Sequence, residues 1–346
     1  MNRLEILKDA LPDGACFYIT SRANIFYYSG FTSEDAALII TRDRQILATD
    51  SRYLVQAKTQ SPGFEIFNVA NGSPIKAAAP KRIGFESNYL TYAEFKKLET
   101  SADGAELFAA DNEISSPRRI KDEGEIKKIL AAEALGDAAF SYVLNIIHAG
   151  MTEKEVAYEI ESYMRKNGAS GTSFETIVAS GVRSALPHGT ASDKIIENGD
   201  FVTMDFGCVL DGYCSDMTRT VVIGRASERQ KEIYNVVLSA QKAAIKEISA
   251  GKKCSDIDAA ARKIIEDAGY GKYFGHALGH SVGIEIHEMP CFSPKSKDLA
   301  ETGNVITVEP GIYIEGFGGV RIEDVVAISP KYAANLTKSE KDLIII

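Results

Sequence analysis

The sequence lacks long apolar runs and an excess of positive charge. No apolar run among its 346 residues approaches the length of a membrane span, and the first segment, MNRLEILKDALPDG, has no apolar core of a signal peptide. The formal net charge of −9 argues against nucleic acid or an anionic membrane surface as a partner. We therefore expect a cytoplasmic protein with no nucleic-acid or membrane partner.

Cysteine is scarce, and the cysteines that are present form neither a metal motif nor a disulfide framework. There are five, an odd number, and none stands in a C-x-x-C pair. Their scatter along the chain agrees with a reducing compartment. They are Cys16, Cys208, Cys214, Cys254 and Cys291.

The length is too great for one ordinary core and about right for two domains, while 45% hydrophobic and 25% charged residues are typical of a globular protein. Residues 1–118 predict a small α/β domain. Residues 119–346 predict a second domain, which opens with a charged stretch that leads into a long helix. The elements predicted in the first domain are strands at 16–20, 36–41 and 81–85 and an amphipathic helix at 86–100.

The second domain contains an internal repeat. AGMTEKEVAYEIESYMRKNGA (149–169) aligns with AGKKCSDIDAAARKIIEDAGY (250–270) at a constant offset of 101 residues. Each segment carries an apolar helical stripe, ends at glycine and follows a longer helical segment, 122–147 or 227–248. The repeat predicts an α+β domain in which two helix pairs pack on a shared, mainly antiparallel sheet.

Both helices of the repeat begin with a pattern typical of an N-terminal cap. Thr152 with Glu155 is the usual capping box in the first, and Ser255 with Asp258 is a weaker version in the second. We expect both helices to start at these residues.

The segment FVTMDFGCVLDGYCSDMTRTVVI (201–223) predicts a β-hairpin. Asp211-Gly212 is a strong signal for a two-residue turn, and apolar and β-branched residues flank it. With these two residues as the turn, Leu210 pairs with Tyr213.

This pairing brings two carboxylates together. Asp205 faces Thr218 and Asp216 faces Gly207, so Asp205 and Asp216 are diagonal neighbours on one face. Two buried carboxylates repel each other unless one is protonated or a cation lies between them, which favours metal ligation over a solvated face. Cys214 lies on the same face, and we interpret it as a small residue that fills space.

The C-terminal segment GNVITVEPGIYIEGFGGVRIEDVVAI (303–328) predicts a strand, a turn and a strand with two further acids. Glu309 ends an apolar strand, and the following proline keeps it extended. Glu323 shares a face with Arg321, where an ion pair is the simpler interpretation. If the repeat is real, its pseudo-symmetry brings all four acids together where the two halves meet.

The sequence has only five histidines, and three of them lie in HALGHSVGIEIHE (276–288): His276, His280 and His287. Glycines recur every four residues here, which would cost a helix about 3 kcal/mol, so we expect an extended or irregular segment. Beside four carboxylates, one histidine becomes a candidate metal ligand.

A site with many oxygens and one imidazole favours Mn²⁺, then Co²⁺ or Fe²⁺, over a closed Zn²⁺ site. Two such ions would share a water nucleophile. The remaining histidines would stabilise a tetrahedral intermediate, and His188, on a loop of small residues, is a candidate. His148 ends a helix. Because a positive charge is favourable at a helix C-terminus, we assign this histidine no function.

Together these motifs resemble the aminopeptidase P and Xaa-Pro dipeptidase (prolidase) family of pita-bread metallopeptidases. The resemblance rests on D-x₁₀-D-M-T-R-T, H-A-L-G-H-S-V-G-I-E-I-H-E, T-V-E-P-G-I-Y and G-V-R-I-E-D, in this order between residues 119 and 346. SRANIFYYSGF (21–31) resembles the creatinase-like N-terminal domain more loosely. The resemblance implies a pita-bread catalytic domain behind a creatinase-like α/β domain.

The resemblance also implies an activity and a metal centre. The enzyme would hydrolyse the bond between an N-terminal residue and proline in short peptides, with two divalent ions, Mn²⁺ or else Co²⁺, Fe²⁺ or Zn²⁺. Asp216 and Glu323 would bridge the ions, and Glu309 would act as general base on the bridging water. The implied metal ligands are Asp205, Asp216, His280, Glu309 and Glu323.

Further residues take substrate roles by the same resemblance. His188 and His287 would contact the substrate and stabilise the intermediate, and His276 would line the pocket. Arg321 would lie beside Asp216, orient the site and contribute to substrate binding. A neighbouring subunit often completes the wall of the site in this family, which implies a homodimer.

Two alternatives remain at this point. A methionine-aminopeptidase-like peptidase shares the first aspartate pair and the spacing from His280 to His287, but it resembles the chain less after Glu309. A non-catalytic peptide-binding pita-bread module would not need the complete ligand set. The residues leave the choice between dipeptidase and aminopeptidase P open.

Overall fold

The computed structural model describes residues 3–346, and the chain divides into two compact units, Met1–Arg118 and Arg119–Ile346. Within the described range, no helix combines the length and the apolar character that a membrane crossing needs.

The first unit is a mixed sheet with flanking helices. Its strands are β1 (Ala15–Ile19), β2 (Ala36–Ile40), β3 (Gln45–Thr49), β4 (Glu65–Asn68), β5 (Arg82–Phe85) and β6 (Glu106–Ala109). Its helices are α1 (Arg3–Asp9), α2 (Arg22–Ser29), α3 (Leu54–Gln60), α4 (Pro74–Ala78), α5 (Tyr92–Ser101) and α6 (Asp111–Ser115). The strands follow the order β4-β3-β2-β1-β5-β6, and the strands predicted from apolar runs are β1, β2 and β5.

The helix predicted at 86–100 begins later, at Tyr92. Thr91 is its N-cap and forms a capping box with Glu94. Residue Glu86 lies outside the helix, where its buried carboxylate accepts hydrogen bonds from the backbone N–H groups of Thr20 and Ser21. The predicted start was therefore wrong by six residues, because the local cap decides where the helix begins.

The second unit contains four long helices and thirteen strands within the described residues. The helices are α7 (Glu123–Val143), α8 (Glu153–Lys166), α9 (Glu228–Glu247) and α10 (Cys254–Asp267). The strands are β7 (Gly171–Thr172), β8 (Ile177–Ser180), β9 (Phe201–Phe206), β10 (Cys208–Leu210), β11 (Tyr213–Cys214), β12 (Met217–Val222), β13 (Gly279–Ser281), β14 (Glu288–Phe292), β15 (Val305–Val308), β16 (Gly311–Ile314), β17 (Gly318–Arg321), β18 (Asp324–Ile328) and β19 (Ala333–Asn335).

These elements form two similar halves. In the first, α7 and α8 bury an apolar core against β8, β9 and β12; in the second, α9 and α10 bury another against β15 and β18. Burial of these apolar stripes is the main source of stability in each half. The strands pair antiparallel throughout, in several short sheets rather than one continuous sheet.

Helices α8 and α10 sit at the predicted offset, but only one has the predicted cap. Both are 14 residues long. Thr152 and Glu155 form the expected capping box on α8. The expected cap on α10 was wrong: the helix starts at Cys254, its N-cap Lys253 makes no side-chain cap, and Asp258 is buried in other contacts.

The hairpin at Asp211-Gly212 has the predicted register. Both turn residues have positive φ, and Leu210 pairs with Tyr213. Asp205 pairs with Thr218 further along the same register, so no bulge intervenes. The turn therefore sets which side chains share a face.

Two glycines allow unusually close backbone contacts, one in each half. A Cβ on Gly207 would lie 1.9 Å from the carbonyl oxygen of Ser215, and one on Gly279 would lie 2.0 Å from that of Thr307. Gly279 belongs to the histidine-rich segment, which is extended and irregular as predicted. Only the missing side chain lets these strands approach.

The C-terminal segment is more divided than predicted. Instead of two strands and a turn, it forms four strands, in which β15 pairs with β18 and β16 pairs with β17. Val308 pairs with Asp324 and Gly311 with Arg321, so Glu309 and Glu323 lie opposite each other between the two pairings.

Candidate metal centre

A cavity of about 510 Å³ lies in the second unit and collects the candidate residues of both halves. Every residue proposed from the sequence as a metal ligand or substrate contact lines it. They are Asp205, Asp216, His280, Glu309 and Glu323, together with His188, His276, His287 and Arg321.

The first half supplies two aspartates. Asp205 is on β9, and Asp216 immediately precedes β12. The backbone N–H of Asp216 donates to Glu133 Oε1 at 2.8 Å, so helix α7 fixes its position. The hairpin register thus brings both carboxylates to the cavity.

The second half supplies two glutamates and a histidine. Glu309 follows β15, Glu323 precedes β18, and His280 is the middle residue of β13. Thr307 Oγ1 donates to Glu309 Oε1 at 3.0 Å, and Thr218 Oγ1 donates to Glu323 Oε2 at 2.6 Å. Threonine hydroxyls therefore orient both glutamates.

The distances fit a centre for divalent cations. Asp216, His280 and Glu323 each offer one ligand atom, and these atoms lie within 4.8 Å of one another. His280 Nε2 is 3.5 Å from Asp216 Oδ2 and 3.5 Å from Glu309 Oε1. Asp205 Oδ1 is buried, and no hydrogen-bond donor within residues 3–346 reaches it. A cation fits where a buried carboxylate oxygen without a hydrogen-bond donor lies beside other atoms that can ligate metal.

The pKa values of the acids indicate that the cluster needs a cation to be fully ionised. Burial, with repulsion from the neighbouring carboxylates, raises the pKa of Glu309 to about 8 and holds those of Asp216 and Glu323 well above their usual range. Burial lowers the pKa of His280 to about 4, with repulsion from His287 adding to it, so His280 is neutral near pH 7, the form that binds metals.

Arg321 lies beside Asp205 rather than Asp216, so that expectation was wrong. Its Nη2 donates to Asp205 Oδ2 at 2.5 Å and its Nε to Thr218 Oγ1 at 3.0 Å. The register explains the pairing, because Thr218 pairs with Asp205 on the neighbouring strand. Arg321 Nη1 donates to the carbonyl oxygen of Pro187 at 3.2 Å.

Tyr313 is a residue of the site that sequence reasoning missed. Its hydroxyl accepts a hydrogen bond from Arg321 Nη1 at 2.8 Å and lies 2.9 Å from His276 Nε2. The signal was present, because Tyr313 closes the T-V-E-P-G-I-Y motif four residues after Glu309. Burial lowers the pKa of His276 to about 4, so this ring too is neutral near pH 7.

The other sequence candidates occupy different surroundings. The His287 and His280 rings meet edge to face with centroids 4.2 Å apart. Cys214 is buried, and its thiol contacts the carbonyl oxygen of Ile284. The cavity also includes Cys291 and the exposed Glu175, which no sequence motif pointed to.

Both units of the chain match known protein families. Residues 127–330 match the family model described as metallopeptidase family M24, and residues 5–120 match the creatinase/prolidase N-terminal domain. An Xaa-Pro dipeptidase of Pyrococcus horikoshii is 40% identical over 94% of this chain and 93% of its own length.

Solved structures of proteins with Xaa-Pro or X-Pro peptidase names also resemble the chain over nearly its whole length. The Xaa-Pro dipeptidase from Bacillus anthracis superposes with a TM-score of 0.96 at 43% identity, covering 99% of both chains. The X-Pro aminopeptidase from Thermotoga maritima has a TM-score of 0.91 at 40% identity, covering 96% of this chain and 97% of that one.

Proposed function

The chain belongs to metallopeptidase family M24, with a creatinase/prolidase N-terminal domain, and on that premise we propose that it releases the N-terminal residue from peptides with proline in second position. The resemblance inferred from the motifs and the α+β pita-bread architecture are confirmed. The chain is thus a metallo-exopeptidase and a hydrolase, and the family implies divalent metal ions.

One observation carries the proposal: a single cavity gathers five residues suited to divalent cations and three histidines from both halves of the catalytic unit. We propose that Asp205, Asp216, His280, Glu309 and Glu323 hold two ions, with Asp216 and Glu323 serving both. When bound, the ions would lower the pKa of water and polarise the substrate carbonyl. Four oxygen-donating side chains with one imidazole favour manganese.

The side chains of the chain itself perform the remaining chemistry. Glu309, oriented by the Thr307 hydroxyl, would accept the proton of the attacking water. His188 and His287 would donate hydrogen bonds to the oxygen on which negative charge develops. His276 lines the pocket beside Tyr313, and Arg321, also part of the substrate site, is held by Asp205.

Proline explains why such an enzyme is needed. An Xaa-Pro bond has no N–H on the proline side, and the ring restricts φ. Peptidases that bind this donor or an extended shape therefore fail on it. The relatives carry both names, dipeptidase and aminopeptidase, so substrate length is the variable to measure.

The alternatives have less support. A methionine-aminopeptidase-like enzyme does not explain relatives that match over nearly the whole length and bear Xaa-Pro names. A non-catalytic binding module does not explain a complete set of ligand-type residues around one cavity.

Assembly, location and domain boundary are also part of the proposal. We propose a homodimer in the cytoplasm, with the boundary between residues 118 and 119; an odd number of scattered cysteines without a C-x-x-C pair favours a reducing compartment. Light scattering would test the dimer, with a mass of twice the 37.6 kDa chain expected.

The test is hydrolysis of Ala-Pro, Ala-Pro-Ala and Ala-Ala-Ala by the purified chain with Mn²⁺. We expect release of alanine from at least one of the proline peptides, little from Ala-Ala-Ala, and none after EDTA until Mn²⁺ is restored. Cleavage of Met-Ala-Ser but of no proline peptide would favour the methionine-aminopeptidase hypothesis. Sub-stoichiometric metal without turnover on any peptide would favour the binding module.

A further inference from the structure

His188 differs from His276 and His280 in what holds its ring. Within residues 3–346 its imidazole makes no hydrogen bond, and the residue is exposed. The His276 ring, by contrast, contacts the Ala277 carbonyl oxygen at 2.7 Å and the Tyr313 hydroxyl at 2.9 Å. The position of the His188 ring therefore depends on the backbone of its loop, residues 181–192.

One buried carboxylate holds both ends of this loop. Glu153, the first residue of α8, is fully buried. Its Oε1 accepts from the backbone N–H of Ser180 at 2.7 Å and its hydroxyl at 2.9 Å. Its Oε2 accepts from the backbone N–H of Ser192 at 3.0 Å and its hydroxyl at 2.6 Å. A carboxylate with four such donors is strongly held in place.

Arg183 extends this contact towards the histidine. Its Nε donates to Glu153 Oε2 at 3.0 Å, and its Nη2 donates to the Thr190 carbonyl oxygen at 2.7 Å. Thr190 in turn donates its backbone N–H to the His188 carbonyl oxygen at 3.0 Å. The chain of contacts thus runs from the buried helix end to His188 itself.

We propose that Glu153 and Arg183 are positioning residues that act through His188. They fix the loop so that the imidazole stays in the cavity without a partner for its ring, leaving its nitrogens available to a substrate. The inference rests on the proposed function of the cavity. It predicts an effect on turnover and none on metal affinity, because no proposed metal ligand lies in residues 181–192.

A double-mutant cycle tests this with Arg183→Met and His188→Ala on the Xaa-Pro peptide that the unmodified protein hydrolyses fastest. We expect His188→Ala to lower kcat/KM by about 10²-fold, as for loss of an oxyanion donor. Arg183→Met should lower it by about 10-fold, mainly in kcat, because the histidine is misplaced. In the double variant the Arg183 effect should shrink to less than about twofold.

Two further variants and a metal titration complete the test. Lys154→Met is the matched control, since Lys154 pairs with Asp193 beside the same loop but both side chains are exposed; we expect unchanged kcat/KM. Arg183→Lys keeps the charge, so its activity should lie between those of Arg183→Met and the unmodified protein. Mn²⁺ affinity by calorimetry should be equal in all variants.

Independent losses that multiply in the double variant would overturn the proposal, as would normal kcat/KM in Arg183→Met. If the unmodified protein hydrolyses no Xaa-Pro peptide, the proposed function fails, and hydrogen exchange decides about the loop contact alone. Faster exchange confined to residues 181–192 in Arg183→Met would support that contact, and unchanged protection would overturn it.

Discussion

Helices α8 and α10 each carry a buried carboxylate that accepts hydrogen bonds from a segment further along the chain, and the two halves of the catalytic unit differ in where that carboxylate lies. Glu153 is the first residue of α8 and receives Arg183 from the loop. Asp258 lies one turn inside α10 and receives Arg262 from the same helix, four residues on. The offset of 101 residues pairs Glu153 with Cys254. The buried carboxylates of the two halves therefore do not occupy equivalent positions of the repeat.

The carboxylates also serve different parts of the site. Asp258 Oδ1 accepts from the backbone N–H of Leu278, whose carbonyl oxygen accepts from the N–H of Glu309. Arg262 Nη2 donates to the carbonyl oxygen of His276. Asp258 thus supports the proposed metal ligand Glu309 through Leu278, whereas Glu153 supports the loop of a histidine proposed to contact substrate. The two halves are pseudo-symmetric in fold, but their buried carboxylates support different residues of the site.

The largest expected effect is on kcat, and it should distinguish Glu309 of the second half from Asp205 of the first. Glu309→Gln should lower kcat by about 10²- to 10⁴-fold at saturating Mn²⁺, because it removes the proposed general base. Asp205→Asn should weaken Mn²⁺ binding more than it lowers kcat, because Asp205 is a proposed metal ligand but not the proposed base. Kinetics over a range of metal concentrations would measure both, with circular dichroism as the control for folding. Full activity in Glu309→Gln would remove the base assignment.

A smaller effect should follow from the buried carboxylate of the second half. Asp258→Asn should lower Mn²⁺ affinity by about tenfold, since supporting contacts of metal ligands have effects of this size. Asp267→Asn is the control: Asp267 forms the same i,i+4 pair with Lys263 on α10, but both side chains are exposed. Calorimetric titration should separate the two variants, and equal affinities would contradict the supporting role of Asp258.

The smallest effect concerns the two helix starts. Thr152→Ala should lower the free energy of unfolding by about 1 kcal/mol, because it removes the N-cap of α8. Ser255→Ala, in the pattern that the sequence suggested as the cap of α10, should leave it unchanged, because Ser255 lies inside the helix and caps nothing. Urea denaturation of both variants would check this, and equal losses would restore the symmetry of capping that the sequence suggested.

Local signals in the sequence predicted the parts of the fold that depend on neighbouring residues. Asp211-Gly212 fixed the register of a hairpin because both residues accept positive φ, and that register brought Asp205 and Asp216 to one cavity. Ser255 was misassigned because α10 starts two residues earlier than the pattern implies: Lys253 is the N-cap, and Ser255 is already the second residue of the helix.

Contacts between distant residues could not be predicted in this way. Glu153 reaches Ser180 and Ser192, and no periodicity indicates that a glutamate in the first turn of a helix faces inwards rather than water. Arg321 was placed beside the wrong aspartate for the same reason, because its partner depends on how two hairpins meet. Motif resemblance supplied the list of residues, and the tertiary structure supplied their partners.

The two close glycine contacts limit how the enzyme can be engineered. At Gly207 and Gly279 even a methyl group would collide with a backbone carbonyl that cannot rotate aside, so saturation libraries at these positions would consist almost wholly of inactive clones. The exposed wall of the cavity, which includes Glu175, is the better place to randomise when a new peptide preference is sought.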